Sequence, residues 1–84
     1  MITVLYFARL KESLGIASEQ IALPQAVSDL EGLRALLVAR GGVWYEELAV
    51  NRRIRAAVNQ SMASGDTAIA DGDEIAFFPP VTGG

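Results

Sequence analysis

The residues best placed to do chemistry stand at the end of the chain, where the run AFFPPVTGG joins an apolar stretch to Pro79, Pro80, Val81, Thr82, Gly83 and Gly84. From Pro79 onward this segment can extend roughly 20 Å, and the paired prolines narrow the conformations open to the unbound chain, which lessens the entropy lost on docking. Gly83 and Gly84 have no Cβ, so a narrow channel in a partner protein can close around the backbone and still reach the carboxylate of Gly84. In this reading the working group is the main-chain carboxylate itself. The plain structural reading of the same residues is a frayed end, since termini tolerate small residues.

The rest of the composition offers little competing chemistry. There is no cysteine and no histidine. That removes disulfides, thiolate nucleophiles, thiolate or imidazole metal sites and any triad with an imidazole base. Carboxylates and hydroxyls remain, but no spacing sets them up as an acid–base pair, which argues against independent catalysis. A net charge of −3 and a pI near 4.7 repel phosphate backbones and anionic lipid, so nucleic acid and membrane surfaces are not expected as partners. No apolar run reaches the ~20 residues of a membrane span, and the opening MITVLYFARLKE lacks the marks of a secretion signal, so a cytoplasmic address is expected.

The elements that must hold out such a tail can be read from pattern. With 84 residues there is room for one domain with an economical core. Ile2 to Phe7 reads as a strand with Ile2, Val4 and Tyr6 on one face and Thr3, Leu5 and Phe7 on the other. A short helix from Arg9 to Leu14 should end at Gly15, and Glu19 to Leu23 should return as a strand before Pro24. Ser28-Asp29-Leu30-Glu31 reads as a capping box in which Ser28 accepts from the Glu31 amide. The stripe Leu30, Leu33, Leu37 follows on one helical face, with Gly41-Gly42 as a left-handed stop after Arg40.

Further on, Trp44 and Leu48 suit a helical turn, and Ile54 to Asn59 a strand closed by a turn at Asn59-Gln60. Asp71-Gly72-Asp73 is a tight-turn signal before a last strand, Glu74 to Phe78, which Pro79 and Pro80 terminate. The order predicts an α+β domain over residues 1–78: a mixed sheet covered by one main helix, with the first and last strands as central neighbours, and residues 79–84 as a tail.

The strings DGDEIAFFPPVTGG (Asp71 to Gly84) and AAVNQ (Ala56 to Gln60), with the opening MITVLYFARLKE, closely resemble the small subunits of molybdopterin synthase. The resemblance spans the chain and is least specific between Gly32 and Arg55. It implies a ubiquitin-like β-grasp domain that binds no cofactor and cycles between a C-terminal carboxylate and a thiocarboxylate at Gly84. An E1-like activating enzyme would use ATP to adenylate that carboxylate, and a persulfide donor would displace AMP. A large synthase subunit, expected in a heterotetramer with two carriers, would then receive the tail through Pro79, Pro80, Val81, Thr82 and Gly83. There the sulfur would pass to a cyclic pyranopterin precursor to build the molybdopterin dithiolene. A thiazole-synthesis-type carrier and a ubiquitin-like protein modifier share the Gly-Gly end and are the alternatives.

Phe77 and Phe78 are adjacent on a strand, so one faces the helix and the other faces away; parity with Ile75 turns Phe77 inward. Phe78, with Phe7 and Leu5, is then expected to form an exposed apolar patch that docks the large subunit. Asp71, Asp73 and Glu74 lack the further ligands of a calcium loop and read as a solvated turn, which could help orient an activating enzyme. No metal is expected. Arg52, Arg53 and Arg55 follow Glu46 and Glu47 without interleaved aromatics and read as a solvated loop edge.

Overall fold

The computed structural model describes residues 1–49 and 53–80. Their elements run β1 (Ile2–Tyr6), α1 (Ala8–Leu14), β2 (Ser18–Ile21), α2 (Leu30–Val38), α3 (Val43–Leu48), β3 (Arg55–Val58), β4 (Ser61–Ala63) and β5 (Glu74–Phe78). The strands form one sheet in the order β2-β1-β5-β3-β4. β1 and β5 are parallel and central, and β2, β3 and β4 join by antiparallel pairing. With helices packed on one side, this is the α+β, ubiquitin-like β-grasp arrangement.

The alternation read from β1 and β5 explains which side the helices cover. Ile2, Val4, Tyr6, Ile75 and Phe77 are all buried, and they meet Leu30, Leu33 and Leu37 of α2 together with Leu10 and Leu48. Each fully buried side chain of this size contributes roughly 1.5–3 kcal/mol, which a domain this small needs. The edge strands β2 and β4 have only 4 and 3 residues, which limits the unpaired backbone they offer to other chains.

The α2 cap lies one residue later than the capping box predicts. Asp29, not Ser28, is the N-cap, and its carboxylate accepts from the Gly32 amide at 2.8 Å. The reason is tertiary: the Leu30 and Glu31 amides donate to Thr67 and Gly65 carbonyls, and the Ser28 carbonyl accepts from Ile69. The loop before β5 thus satisfies amides that a free helix end leaves open. The fit around Gly32 is tight: a Cβ at this position would stand 3.1 Å from the Asp29 carboxylate and 3.3 Å from Val27, so both side chains would have to shift slightly.

Other departures are local. The first helix begins at Ala8 and ends before Gly15 as expected, with Gly15 left-handed at φ 78°. α2 ends at Val38, and Gly41 takes the left-handed turn at φ 75°. The turn at Trp44 is a helix of 6 residues whose Leu48 is fully buried. β3 is shorter than the predicted Ile54–Asn59, because Asn59 and Gln60 both turn to positive φ (49° and 69°) and reverse the chain into β4, a strand the sequence reading did not anticipate.

Candidate functional site at the end of the last strand

The parallel pairing of β1 with β5 sets the geometry of the site. Tyr6 stands beside Phe77, and the Phe7 amide donates to the Phe77 carbonyl at 3.2 Å, so the chain leaves β5 next to the β1–α1 junction. Phe78 ends the strand, and the half-buried Pro79 and Pro80, which lack amide donors, do not extend it. Of the predicted tail, residues 79–84, Val81, Thr82, Gly83 and Gly84 lie outside the described residues, as does Arg52.

Leu5 and Phe78 occupy the sheet face turned away from the helices, since Phe77 is fully buried on the inner face and its neighbour must point outward. Phe7 continues the same side: its backbone is extended (φ −121°, ψ 156°) as it caps α1, and the residue is 47% exposed. The structure therefore brings Phe7, Leu5 and Phe78 to one end of one face. Within the expected patch Phe7 is exposed, and Leu5 and Phe78 are half-buried among their strand neighbours on that face.

Those neighbours include residues that the sequence reading missed. Ala57 lies between Ala76 and Met62 in the β3–β5 and β3–β4 registers, and Arg55 stands opposite Phe78. Ala57 is buried although it points outward, while Met62 is 62% exposed. The alternation through Arg55, Ala57 and Asn59 was the available signal for this second face; Met62 was hidden because a strand of 3 residues leaves too little periodicity.

Under the site, the inner face is fixed by a polar and aromatic cluster. Tyr6 stacks on Phe77 at 6.3 Å between ring centroids and meets Trp44 edge-on at 5.5 Å. The Tyr6 hydroxyl donates to Glu19 at 2.7 Å, and both terminal nitrogens of Arg40 donate to the same carboxylate at 2.9 Å. The guanidinium also lies 4.4 Å from the centre of the Trp44 ring. The Arg40 hydrogen bonds hold Glu19 below the usual carboxylate range, and the same pairing raises Arg40. Burial, aided by Glu19, pushes the Tyr6 phenol far above its ordinary value, so it remains a neutral donor. This cluster holds β1 against β2 and the helices, and so supports the strand that flanks the exit of β5.

Nothing else described assembles a reactive set. A groove between α2 and α3 is lined by Glu31, Arg34, Val38, Tyr45 and Leu48. Arg34 is committed there to the Leu48 and Ala49 carbonyls, both at 2.6 Å, and burial lowers its basicity. Among the described residues no group of Asp and Glu is arranged to hold a metal ion, and no helix is long and apolar enough to cross a membrane.

The model of the ThiS family matches residues 4–84, from within β1 through Gly84. The chain belongs to the ThiS family. Within this similarity, the molybdopterin synthase sulfur carrier subunit of Escherichia coli (strain K12) is 42% identical over 84 residues, with 100% of each chain covered. Among solved structures, SAMP1 from Haloferax volcanii is 27% identical with a TM-score of 0.75, covering 99% of this chain and 98% of that one. A protein–protein complex of subunits 1 and 2 of molybdopterin-converting factor from Helicobacter pylori 26695 contains a chain that is 30% identical. Its TM-score is 0.66, with 99% of this chain and 97% of that one covered. The ThiS-family match includes the tail as well as the folded body, so the likeness is not confined to the common sheet.

Proposed function

We propose that this chain is the sulfur carrier subunit of a molybdopterin synthase, acting in the cytoplasm and without catalytic activity of its own. The observation that carries the reading is end-to-end likeness to the Escherichia coli sulfur carrier subunit, continuous through the two terminal glycines. The residue that carries sulfur is Gly84.

The chemistry follows from the weakness of a carboxylate as an electrophile. An E1-like partner transfers AMP from ATP to the Gly84 carboxylate with loss of pyrophosphate, making an acyl adenylate with a good leaving group. The terminal sulfur of a persulfide then attacks the acyl carbon and displaces AMP, and a further thiol takes up the other sulfur of the S–S bond as a disulfide. A thiocarboxylate remains. The large synthase subunit receives the tail and directs this sulfur to the pyranopterin precursor. ATP belongs to the activating enzyme, and this chain binds no cofactor.

In the same reading residues 1–78 form the rigid body and residues 79–84 the insert, with Pro79, Pro80, Val81, Thr82 and Gly83 threading the partner channel. Phe7, Leu5 and Phe78 dock the large subunit beside it, in a heterotetramer with a carrier at each end of a large-subunit dimer. The Helicobacter pylori complex of two converting-factor subunits supports a partner of this kind. The exposed Phe7 beside the last strand supports the position of the contact.

Intact-mass measurement tests the reading. Purified chain incubated with ATP, the activating enzyme and a persulfide source is expected to gain the mass difference between sulfur and oxygen at its C-terminus, and then lose it on adding the large subunit and precursor. A mass increase equal to a second protein chain would point to a protein modifier, and sulfur transfer only to a thiazole-forming acceptor to the other carrier class. Retention of the free carboxylate throughout would overturn the proposal.

A further inference from the structure

Arg55 is the one cation among the outward-facing strand residues that are described, and it sits inside the apolar end of that face. Its register partner across β3–β5 is Phe78, which puts the two Cβ atoms about 4.5–5.5 Å apart. Ala57, the next outward residue of β3, is buried between Ala76 and Met62, so the guanidinium rises from an apolar floor.

The other arginines whose pairing is described are engaged within the fold: Arg9 with Glu47, Arg34 with the Leu48 and Ala49 carbonyls, and Arg40 with Glu19. Arg55 is exposed and makes no ion pair or side-chain hydrogen bond with the described residues. The outward carboxylate of β5, Glu74, lies four positions from Phe78, about 13 Å along the strand, which is out of reach.

We infer that the large-subunit surface that covers this face is apolar with one carboxylate placed opposite Arg55, and that this ion pair sets the partner's register on the sheet. The inference rests on the docking reading proposed above. A partner that covers Phe78 also strips water from the guanidinium beside it, and an uncompensated buried charge opposes binding. A carboxylate matches the planar fork of arginine with paired hydrogen bonds, which fixes orientation as well as position. The chain's net charge of −3 disfavours a broadly acidic partner, so the complement is a single placed group on an otherwise apolar surface.

The test measures affinity of the full-length chain for the molybdopterin synthase large subunit of the same organism, by calorimetry at low and high salt. Arg55→Glu is expected to weaken binding at least about tenfold, and Arg55→Gln less, with a flatter salt dependence for Arg55→Gln than for the unaltered chain. Reversing one large-subunit Asp or Glu to Arg is expected to restore the affinity of Arg55→Glu. Circular dichroism of each variant controls for folding.

Unaltered affinity in both Arg55 variants overturns the inference, as does a loss that no single carboxylate reversal restores. Phe7→Ala is measured alongside. If Phe7→Ala weakens binding and the Arg55 variants do not, only the ion pair fails; if Phe7→Ala also binds as the unaltered chain does, the docking reading itself fails.

Discussion

Asn59 and Asp73 lock two turns of the chain to each other. The Asn59 side-chain amide donates to an Asp73 carboxylate oxygen at 3.0 Å, its carbonyl accepts from the Glu74 amide at 3.0 Å, and its own backbone amide donates to the Glu74 carbonyl at 2.7 Å. The second Asp73 oxygen accepts from the Ala70 amide at 2.8 Å. The AAVNQ and DGDE strings therefore meet in space: one supplies the hairpin, the other the start of β5, and their contact sets the β3–β5 register.

Asn59→Ala should remove these side-chain bonds and also strain the positive φ of 49°. The expected loss is about 1–3 kcal/mol, read as a lower thermal midpoint. Asn59→Gly forfeits the same bonds but relieves the backbone and should cost less than Asn59→Ala. Equal losses would mean that the left-handed backbone contributes nothing.

The Glu19 cluster gives a pH dependence whose sign is fixed. Arg40 depresses Glu19 in the folded chain, so the stabilisation is present above the ordinary carboxylate pKa and is lost as pH falls through the lower folded value. Glu19→Gln should lower stability at pH 7 by roughly 1 kcal/mol or less, because the pair is partly solvated. The gap between variant and unaltered chain should close in strong acid. A constant gap down to pH 2 would contradict the pairing.

Leu33 is fully buried at the centre of the α2 stripe. Leu33→Ala should destabilise the domain by about 2–5 kcal/mol in urea titration, enough to leave a chain of this size marginally folded. Leu36, beside the stripe and only partly buried, should lose less on truncation to Ala.

On the proposed function, effects at Gly84 separate from effects on stability. Adding a residue after Gly84 should abolish thiocarboxylate formation and leave the unfolding free energy within about 1 kcal/mol of the unaltered chain. Gly84→Ala should be milder but impaired, since one Cβ must enter the partner channel. A chain extended beyond Gly84 that still gained sulfur would contradict the terminal carboxylate as the loading site.

The core was legible because it depends on short-range pattern: the alternation in Ile2, Val4 and Tyr6, the stripe of Leu30, Leu33 and Leu37, and the inward parity of Phe77 all describe one face of one element. What the sequence hid is long-range. Asp29 caps α2 because the Gly65 to Ile69 loop already occupies the amides of Leu30 and Glu31, a contact no local motif announces. β4 is only 3 residues long and owes its place to the hairpin at Asn59-Gln60. Arg55 read as a solvated loop edge until strand pairing set it against Phe78. At the candidate site, the shared face of Phe7, Leu5 and Phe78 was readable by parity, and the apolar floor around them needed the register.

Parallel alignment of β1 and β5 gives the molecule two poles. The ammonium of Met1 pairs with Asp71, and the Met1 carbonyl accepts from the Gly72 amide at 2.8 Å, so the first residue is anchored where β5 begins. Phe7 and Pro79 lie at the far end, about 17 Å away along five residues of strand. A fluorophore or affinity handle fused ahead of Met1 therefore sits across the body from the point where the chain leaves the sheet. Attachment there keeps a label well away from Phe7 and Pro79, at the cost of the ammonium that pairs with Asp71.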